Sequence, residues 1–382
     1  MKALAELRAA LADSHDTREV LSRFVRDNTF PLVEHDTATF FYWDGHPADE
    51  VILRHWVFGL ESAQPFHRLV GTDAFFLPVP LPHAARVEYK LEIHRHGERR
   101  WVRDPLNPRR AFDPFGSNSV CPMPGYREPA WALPDADARQ GRIVSFELDN
   151  QTWGDRRTVH VYVPYEFRRH KAYPLIICHD GSDYRRFAGI GDVLDNLITR
   201  HELAPVLVAF VDGVNRNGEF GAHPKHPDYI VHDVLPALEK RFAILPGAKN
   251  RGLMGASFGG VASLWTAWNH PGVFGKLLLQ SGSFVFTDVG HHGRGPLWDP
   301  VVGFINDFRL DPARIDAQVF ASCGTFESLI AYNRALVPLM RQSGLRVRFR
   351  EASDGHNWIA WRDQLREGLT WLYPGHLWMT YD

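Results

Sequence analysis

Residues 251–260 read Arg-Gly-Leu-Met-Gly-Ala-Ser-Phe-Gly-Gly, and this stretch decides the fold. It begins as a short apolar run, which is typical of a buried strand, and from Val261 onward apolar residues recur at helical spacing. Small residues at Gly255 and Gly259 allow the chain to turn sharply from strand to helix. The pattern predicts a strained turn that holds the Ser257 hydroxyl above the edge of a sheet.

Strand-like runs alternate with helical patterns on both sides of this turn. Such alternation is typical of a mostly parallel sheet that is covered by helices on both faces. The pattern predicts strands over residues 143–148, 158–163, 174–178, 206–211, 251–254, 276–280, 318–322 and 346–350. Open sheets of this kind build their sites just beyond the carboxyl ends of the strands.

Two side chains suited to acid–base chemistry, Glu327 and His356, follow the last two predicted strands. The chain order of serine, acid and histidine is that of an α/β-hydrolase, in which the acid orients the histidine that deprotonates the serine. We therefore predict an α/β-hydrolase with Ser257 as nucleophile, His356 as base and Glu327 as acid. Glu351 and Asp354 lie nearby in the sequence and are alternatives for the acid.

The transition state of such a reaction needs two hydrogen-bond donors for its oxyanion. The backbone N–H of Phe258, the residue after the nucleophile, is expected to be the first donor. The second is expected from the loop over residues 179–183, where Gly181 lets the backbone approach a substrate, and we assign it to the Ser182 amide.

The first part of the chain has a different pattern, because short β-rich runs follow two amphipathic helices. Residues 1–120 are predicted to form a small immunoglobulin-like β-sandwich domain with leading helices. Residues 121–141 are rich in proline and are predicted to be a linker. Residues 142–382 are predicted to form the catalytic domain.

Composition bounds the possible partners and the compartment. A formal net charge of −2 gives no electrostatic basis for binding nucleic acid or an anionic membrane. Three cysteines are too few for a disulfide framework and favour a reducing compartment. No apolar stretch is long enough for a membrane span, and the first residues carry charges where a signal peptide is apolar. We expect a cytoplasmic enzyme.

The histidines give no pattern of a metal site. His223, His226 and His232 are expected to lie in a Pro-rich loop, and His291 and His292 are adjacent residues flanked by glycines. Neither group shows a helical pair or the cysteine spacing of a zinc site. The sequence also lacks a phosphate-binding or dinucleotide-binding motif, so we predict neither a metal nor a cofactor.

Further stretches accompany the serine turn in order along the chain, namely residues 211–220, Asp233-Val-Leu-Pro236, His270-Pro271, Gln280-Ser-Gly-Ser283, Gly324-Thr-Phe-Glu327 and Gly355-His-Asn-Trp358. With Tyr89-Lys90 and Asp104-Pro-Leu-Asn-Pro108, they resemble the enterochelin (enterobactin) esterase family over nearly the whole chain. The resemblance implies cytoplasmic ester hydrolysis by a Ser–His–acid triad, which falls on Ser257, His356 and Glu327. In named members the substrate is the serine trilactone of a catecholate siderophore.

The resemblance also makes Arg216, Glu219 and Trp358 candidates for substrate binding, with a surface ion pair as the alternative for the first two. The expected substrate is a small-molecule ester, either a siderophore lactone or another aryl or acyl ester. Residues 284–308 lie between two predicted strands and are a candidate lid or, equally, a packed loop. The sequence leaves the oligomeric state open.

Two other functions remain open at this point. An acyl-Ser257 intermediate can be taken by an alcohol instead of water, which would make the protein an acyltransferase. The chain could also be a non-catalytic binding protein built on a hydrolase fold. A complete triad in the expected order favours an ester hydrolase.

Overall fold

The structure is a computed structural model that describes residues 2–57, 59–165, 167–288 and 290–376. Its contacts divide the chain into two compact units. The first unit comprises the residues up to Arg127 together with two short later stretches, Thr325–Glu327 and Ala352–Asn357. The second unit comprises Glu128–Gly324, Ser328–Glu351 and the residues from Trp358 onward.

In its described residues, the first unit begins with two helices and continues with ten short strands. The helices are α1 (Lys2–Asp13) and α2 (Thr17–Asp27). The strands are β1 (Leu32–Glu34), β2 (Thr37–Tyr42), β3 (Glu50–His55), β4 (Ala63–Pro65), β5 (His67–Arg68), β6 (Phe75–Pro80), β7 (Arg86–Arg95), β8 (Glu98–Val102), β9 (Arg110–Asp113) and β10 (Gly116–Pro122).

These strands form two sheets, one in the order β1-β2-β6-β5 and one in the order β4-β3-β7-β10-β9, with β8 also paired to β7. Buried and less buried residues alternate along β3, as expected for a sheet with one face in a core. Side chains from both sheets, including Phe40, Leu53 and Leu91, share one apolar cluster. The unit is therefore a β-sandwich, and an immunoglobulin-like sandwich is compatible with it.

The second unit is built on strands and helices that alternate. Its strands are β11 (Arg142–Asn150), β12 (Asp155–Val163), β13 (Leu175–His179), β14 (Leu207–Val211), β15 (Arg251–Ala256), β16 (Lys276–Gln280), β17 (Gln318–Gly324) and β18 (Arg346–Ala352). Its α-helices are α3 (Gly181–Arg186), α4 (Ile190–Thr199), α5 (Arg216–Phe220), α6 (Lys225–Asp228), α7 (Leu235–Glu239), α8 (Phe258–Asn269), α9 (Asp299–Leu310), α10 (Ile330–Gln342), α11 (Trp358–Arg362) and α12 (Leu365–Leu372).

One sheet contains all eight of these strands, in the order β11-β12-β14-β13-β15-β16-β17-β18. The hairpin β11–β12 is antiparallel and also pairs antiparallel with β14. From β14 to β17 the neighbouring strands are parallel. Every residue of β13 and β14 is buried, because apolar clusters cover both faces of the sheet. The predicted α/β fold with a mostly parallel sheet is confirmed.

Two segments differ from the local expectations. The segment 284–308, of which Val289 lies outside the described residues, is more regular than a loop, because it leads into α9, whose Val301, Ile305 and Phe308 are buried. The expected Pro-rich loop around His226 is helical, since a π-helical turn over Tyr229–Val234 joins α6 to α7. No helix in the described part of the chain is long and apolar enough to span a bilayer.

Candidate active site

Ser257 occupies the turn between β15 and α8, as the sequence predicts. Its φ of 57° and ψ of −121° lie in a region that residues with a Cβ rarely adopt. Gly255 is required here, because a Cβ on it would lie 2.4 Å from the carbonyl carbon of Gly259. The Ser257 side chain is partly exposed, and so a substrate can reach it.

A second serine, Ser283, accompanies the nucleophile candidate. The two hydroxyl oxygens are 3.2 Å apart. The N–H of Ser283 donates to the carbonyl of Ser257 at 3.2 Å, and the N–H of Ser257 donates to the carbonyl of Gln280 at 2.9 Å. Ser283 has no predicted role, although it lies in the Gln280–Ser283 stretch that carries part of the resemblance.

His356 and Glu327 are brought together in the first unit. Nδ1 of His356 lies 2.7 Å from Oε2 of Glu327. The Glu327 side chain is 2% exposed and that of His356 is 37% exposed, so the acid is shielded while the imidazole can reach solvent. A buried carboxylate at Nδ1 fixes the tautomer in which Nε2 can accept a proton.

The loops that carry these two residues are joined by backbone hydrogen bonds. The N–H of Thr325 donates to the carbonyl of Ala352 at 2.8 Å, and the N–H of Phe326 donates to the carbonyl of Asp354 at 3.1 Å. Phe326 itself lies in the apolar core of the first unit. The acid and the base are therefore held by the same short piece of structure.

The two alternative acids bind other groups. Glu351 forms two hydrogen bonds with Arg334, at 2.8 and 2.6 Å. Asp354 is 4% exposed and forms an ion pair with Arg86 at 3.3 Å. Among these three carboxylates, the contact with the imidazole is made by Glu327.

The two expected oxyanion donors have different surroundings. Phe258 is the first residue of α8, and an N–H in the first turn of a helix has no partner within the helix. The N–H of Ser182, by contrast, donates to Asp212 at 3.0 Å, and its hydroxyl donates to the same carboxylate at 2.6 Å. The carboxylate thus occupies the amide assigned as the second donor, and the structure does not support Ser182 in that role.

Comparison with known proteins decides the family. The family model described as "Putative esterase" matches residues 150–372. This chain belongs to that esterase family. The predicted carboxylic ester hydrolase and the predicted relation to the enterochelin esterases are thereby confirmed.

Relatives of known name match most of this esterase. The iron(III) enterobactin esterase of Escherichia coli O6:H1 is 24% identical over 88% of this chain and 91% of its own. That of Dickeya dadantii is 25% identical over 82% of this chain and 80% of its own. The crystal structure of the ferric enterobactin esterase of Salmonella typhimurium superimposes with a TM-score of 0.73 at 21% identity, over 88% of this chain and 93% of the other, and so shares its fold. A ferulic acid esterase structure has a TM-score of 0.52 at 19% identity, over 61% of this chain and 98% of its own.

The three predicted substrate-binding residues of the esterase have partners inside the second unit. Arg216 forms a bidentate ion pair with the buried Asp180, with N–O distances of 2.5 and 2.6 Å. Glu219 is 5% exposed and forms a bidentate ion pair with Arg157, at 2.6 and 3.2 Å. The alternative of a surface ion pair is therefore corrected, because Arg216 and Glu219 bind separate partners and Glu219 is buried.

Trp358, the third of these residues, is part of the core. It is 7% exposed, and its ring packs edge-on against Tyr184 and Trp361 at centroid distances of 5.2 and 4.7 Å. Its partners cover most of its surface, and the structure does not support it as a binding residue. A Trp directly after a predicted catalytic loop is easily interpreted as a site residue, because its burial cannot be inferred from the sequence.

Carboxylates lie behind the nucleophile turn. Asp180 lies against the turn, because a Cβ placed on Gly259 would be 3.0 Å from its Oδ2. Burial raises the pKa of Asp183 to about 6, and the charges of Asp180 and Asp212 add to this effect. Arg216 is the counter-ion of this group, since it binds Asp180.

The segment 284–308 brings aromatic side chains and a cation to the nucleophile turn. The ring of Trp298 lies 4.9 Å from that of Phe258. The guanidinium of Arg294 lies over Trp298 at 5.1 Å and over Tyr332 at 5.5 Å. Arg309 instead forms an ion pair with Asp288 at 2.7 Å. Arg294 forms no ion pair with any described residue, whereas Arg309, which directly follows this segment, has Asp288 as its partner.

One group of side chains in the described part of the chain could offer three ligands to a metal, namely Asp228, His232 and His270. The carboxylate of Asp228 lies 3.1 Å from Nε2 of His270 and 3.7 Å from Nε2 of His232. His270 follows the carboxyl end of α8 and Ser257 precedes its amino end, and so this group lies about 18 Å from the nucleophile turn. It takes no part in the reaction proposed below.

Proposed function

We propose that this esterase hydrolyses an aryl or acyl ester, with siderophore lactones among the candidates, through an acyl-Ser257 intermediate. Nε2 of His356 takes the hydroxyl proton as Oγ of Ser257 attacks the carbonyl carbon, and Glu327 stabilises the imidazolium. The N–H of Phe258 stabilises the oxyanion. The alcohol then leaves with the proton from His356, and a water molecule activated by the same imidazole releases the acid.

The backbone conformation of Ser257 carries this proposal. A residue with a Cβ at positive φ costs on the order of 1–3 kcal/mol, and such strain persists where function requires it. A serine that precedes a helix usually caps it with its side chain, but Ser257 makes no such hydrogen bond. The strained turn instead leaves the hydroxyl available at the amino end of α8, where the helix dipole favours negative charge.

The placement of the acid and base along the chain supports the same reaction. Glu327 follows β17 and His356 follows β18, just as Ser257 follows β15. All three strands lie in one sheet, with β16 between β15 and β17. We propose that the three side chains meet beyond the carboxyl ends of these strands. The contact between Glu327 and His356 supplies the oriented base that this mechanism needs.

The surroundings of the turn favour an ester with an aromatic group. Phe258 and Trp298 offer ring faces, and the Arg294 guanidinium, held between Trp298 and Tyr332, can bind a carboxylate or phenolate oxygen. The names of the relatives agree with this chemistry, since they include enterobactin esterases and a feruloyl esterase. We therefore propose aryl esters and aryl-substituted lactones as the substrates to test first.

Active-site labelling tests the reaction directly. A fluorophosphonate probe should label the wild-type esterase but neither Ser257→Ala nor His356→Ala, while Ser62→Ala, an exposed serine of the first unit, should react like wild type. Mass spectrometry should find the label on Ser257. Equal labelling of folded wild type and Ser257→Ala would refute the proposed nucleophile, and full turnover by His356→Ala would refute the proposed base.

A further inference from the structure

Arg86 is the first residue of β7 in the β-sandwich, yet it binds the loop that carries His356. Its guanidinium Nη1 donates to Oδ2 of Asp354 at 3.3 Å and to Oδ1 of Asn357 at 3.1 Å. Its backbone N–H donates to the carbonyl of Ser353 at 2.9 Å. Arg86 is 3% exposed, and so these bonds are shielded from water. Its contacts therefore lie on both sides of the histidine.

Asp354 connects Arg86 to Gly355 and Asn357, the two neighbours of His356 in the chain. Its Oδ1 accepts from the N–H of Gly355 and from Nδ2 of Asn357, both at 2.7 Å. Its Oδ2 is the atom that Arg86 binds. The carboxylate thus closes the loop across Gly355 and His356. Burial raises the pKa of Asp354 to about 6 and the charge of Arg86 opposes this, so the cation helps to keep the carboxylate ionised.

We infer that Arg86 is a positioning residue for His356, supplied by the β-sandwich and acting through Asp354 and Asn357. The inference rests on the proposed function, in which His356 is the base. A catalytic group must be held within about 0.5 Å of its productive position, and a displacement of about 1 Å can cost on the order of 100-fold in rate. The loop from Ser353 to Asn357 has no regular secondary structure of its own, and Arg86 binds it at three residues.

A contribution to stability alone does not explain the buried ion pair of Arg86 and Asp354. Replacing a buried ion pair by apolar side chains of similar volume is often neutral or stabilising. Arg86 also binds Glu88 of its own strand at 2.9 Å, and so its charge has a partner without Asp354. The bonds to Asp354 and Asn357 fix the direction and register of the loop, which an apolar contact would not do.

The test compares Arg86→Met with Arg95→Met. Arg95 is the last residue of β7 and is paired with Asp44, so its removal costs an ion pair in the same strand without touching the histidine loop. Steady-state hydrolysis of a p-nitrophenyl ester is measured for both, with the folded fraction taken from thermal unfolding. Arg86→Met should lower kcat by on the order of 100-fold with KM within about twofold. Arg95→Met should leave both constants close to wild type.

Asp354→Asn provides a second route if Arg86→Met folds poorly. The double variant should lose little more activity than either single variant, because Arg86 and Asp354 act on the histidine as one unit. Additive losses, or a kcat of folded Arg86→Met equal to that of Arg95→Met, would overturn the inference. His356→Ala is assayed in parallel. If it is inactive while Arg86→Met is normal, the inference alone fails, and if it is fully active, the proposed function fails with it.

Discussion

A substitution at Glu219 distinguishes a role in substrate binding from a role in the stability of the fold, and the structure favours the second role. Glu219 and Arg157 have side chains that are each 6% exposed. Removing one partner of a buried ion pair costs about 3–5 kcal/mol, because the other charge stays buried without compensation. Arg157 keeps Asp155, which is 38% exposed and lies at 2.8 Å, so we expect Glu219→Ala to fall near the lower end of that range, at about 3 kcal/mol.

A loss of about 3 kcal/mol corresponds to a fall in Tm of roughly 6–12 °C for a unit of this size. Thermal unfolding followed by circular dichroism measures it, and the kinetics are taken well below the transition, where KM should equal that of wild type. Glu239→Ala is the control, since its partner Arg251 and Glu239 itself are both partly exposed, and such a pair is worth less than about 1 kcal/mol. An unchanged Tm with a KM raised tenfold would refute the structural role and restore Glu219 as a binding residue.

Three further predictions concern the site. Glu327→Gln should lower kcat by on the order of 10³–10⁴-fold with little change in KM, because the imidazole loses its orienting charge. A smaller loss of kcat in Glu327→Gln than in Glu351→Gln would show that Glu327 is not the acid. Asp183→Asn should raise the Tm at pH 8 but not at pH 4. Burial raises the pKa of Asp183 to about 6, so the folded state binds this proton more tightly than the unfolded state does. The wild-type fold therefore loses stability as the pH rises from about 4 to 6, and the substitution removes that loss. Partial exposure limits the gain to about 1 kcal/mol. Arg294→Met should raise KM for aryl esters that carry a carboxylate and leave KM for neutral aryl esters unchanged. Arg309→Met is the control and should change KM for neither type of ester, because the Arg309 charge is bound to Asp288. Equal changes in KM for both ester types in Arg294→Met would contradict the assignment.

The parts of the site that depend on local geometry could be predicted from the sequence. The turn at Ser257 has glycines two residues away on either side, where an added Cβ would be crowded, and so ten residues were enough to find it. The parallel sheet follows from strands and helices that alternate along the chain. Chain order also pointed to Glu327 and His356, which the structure brings to hydrogen-bonding distance.

The parts that depend on distant partners could not be predicted in the same way. Ser182 reads as a free loop residue until Asp212, from the neighbouring strand end, is seen to bind its amide. The sequence suggests that Trp358 is accessible to a substrate, whereas in the structure its ring packs against Tyr184. Arg86 and Asp354 are separated by 268 positions, and no periodicity or motif connects them. A single sequence carries no signal for such contacts.

Thr325–Glu327 and Ala352–Asn357 belong to the same compact unit as the sandwich strands, and this bears on how the chain can be truncated or recombined. A fragment that starts at residue 128 would keep Ser257 on its sheet but would strip the acid and the base of the neighbours that hold them. An exchange of the leading domain of this chain must therefore move Arg86 and residues 353–357 together, because Arg86 binds this loop.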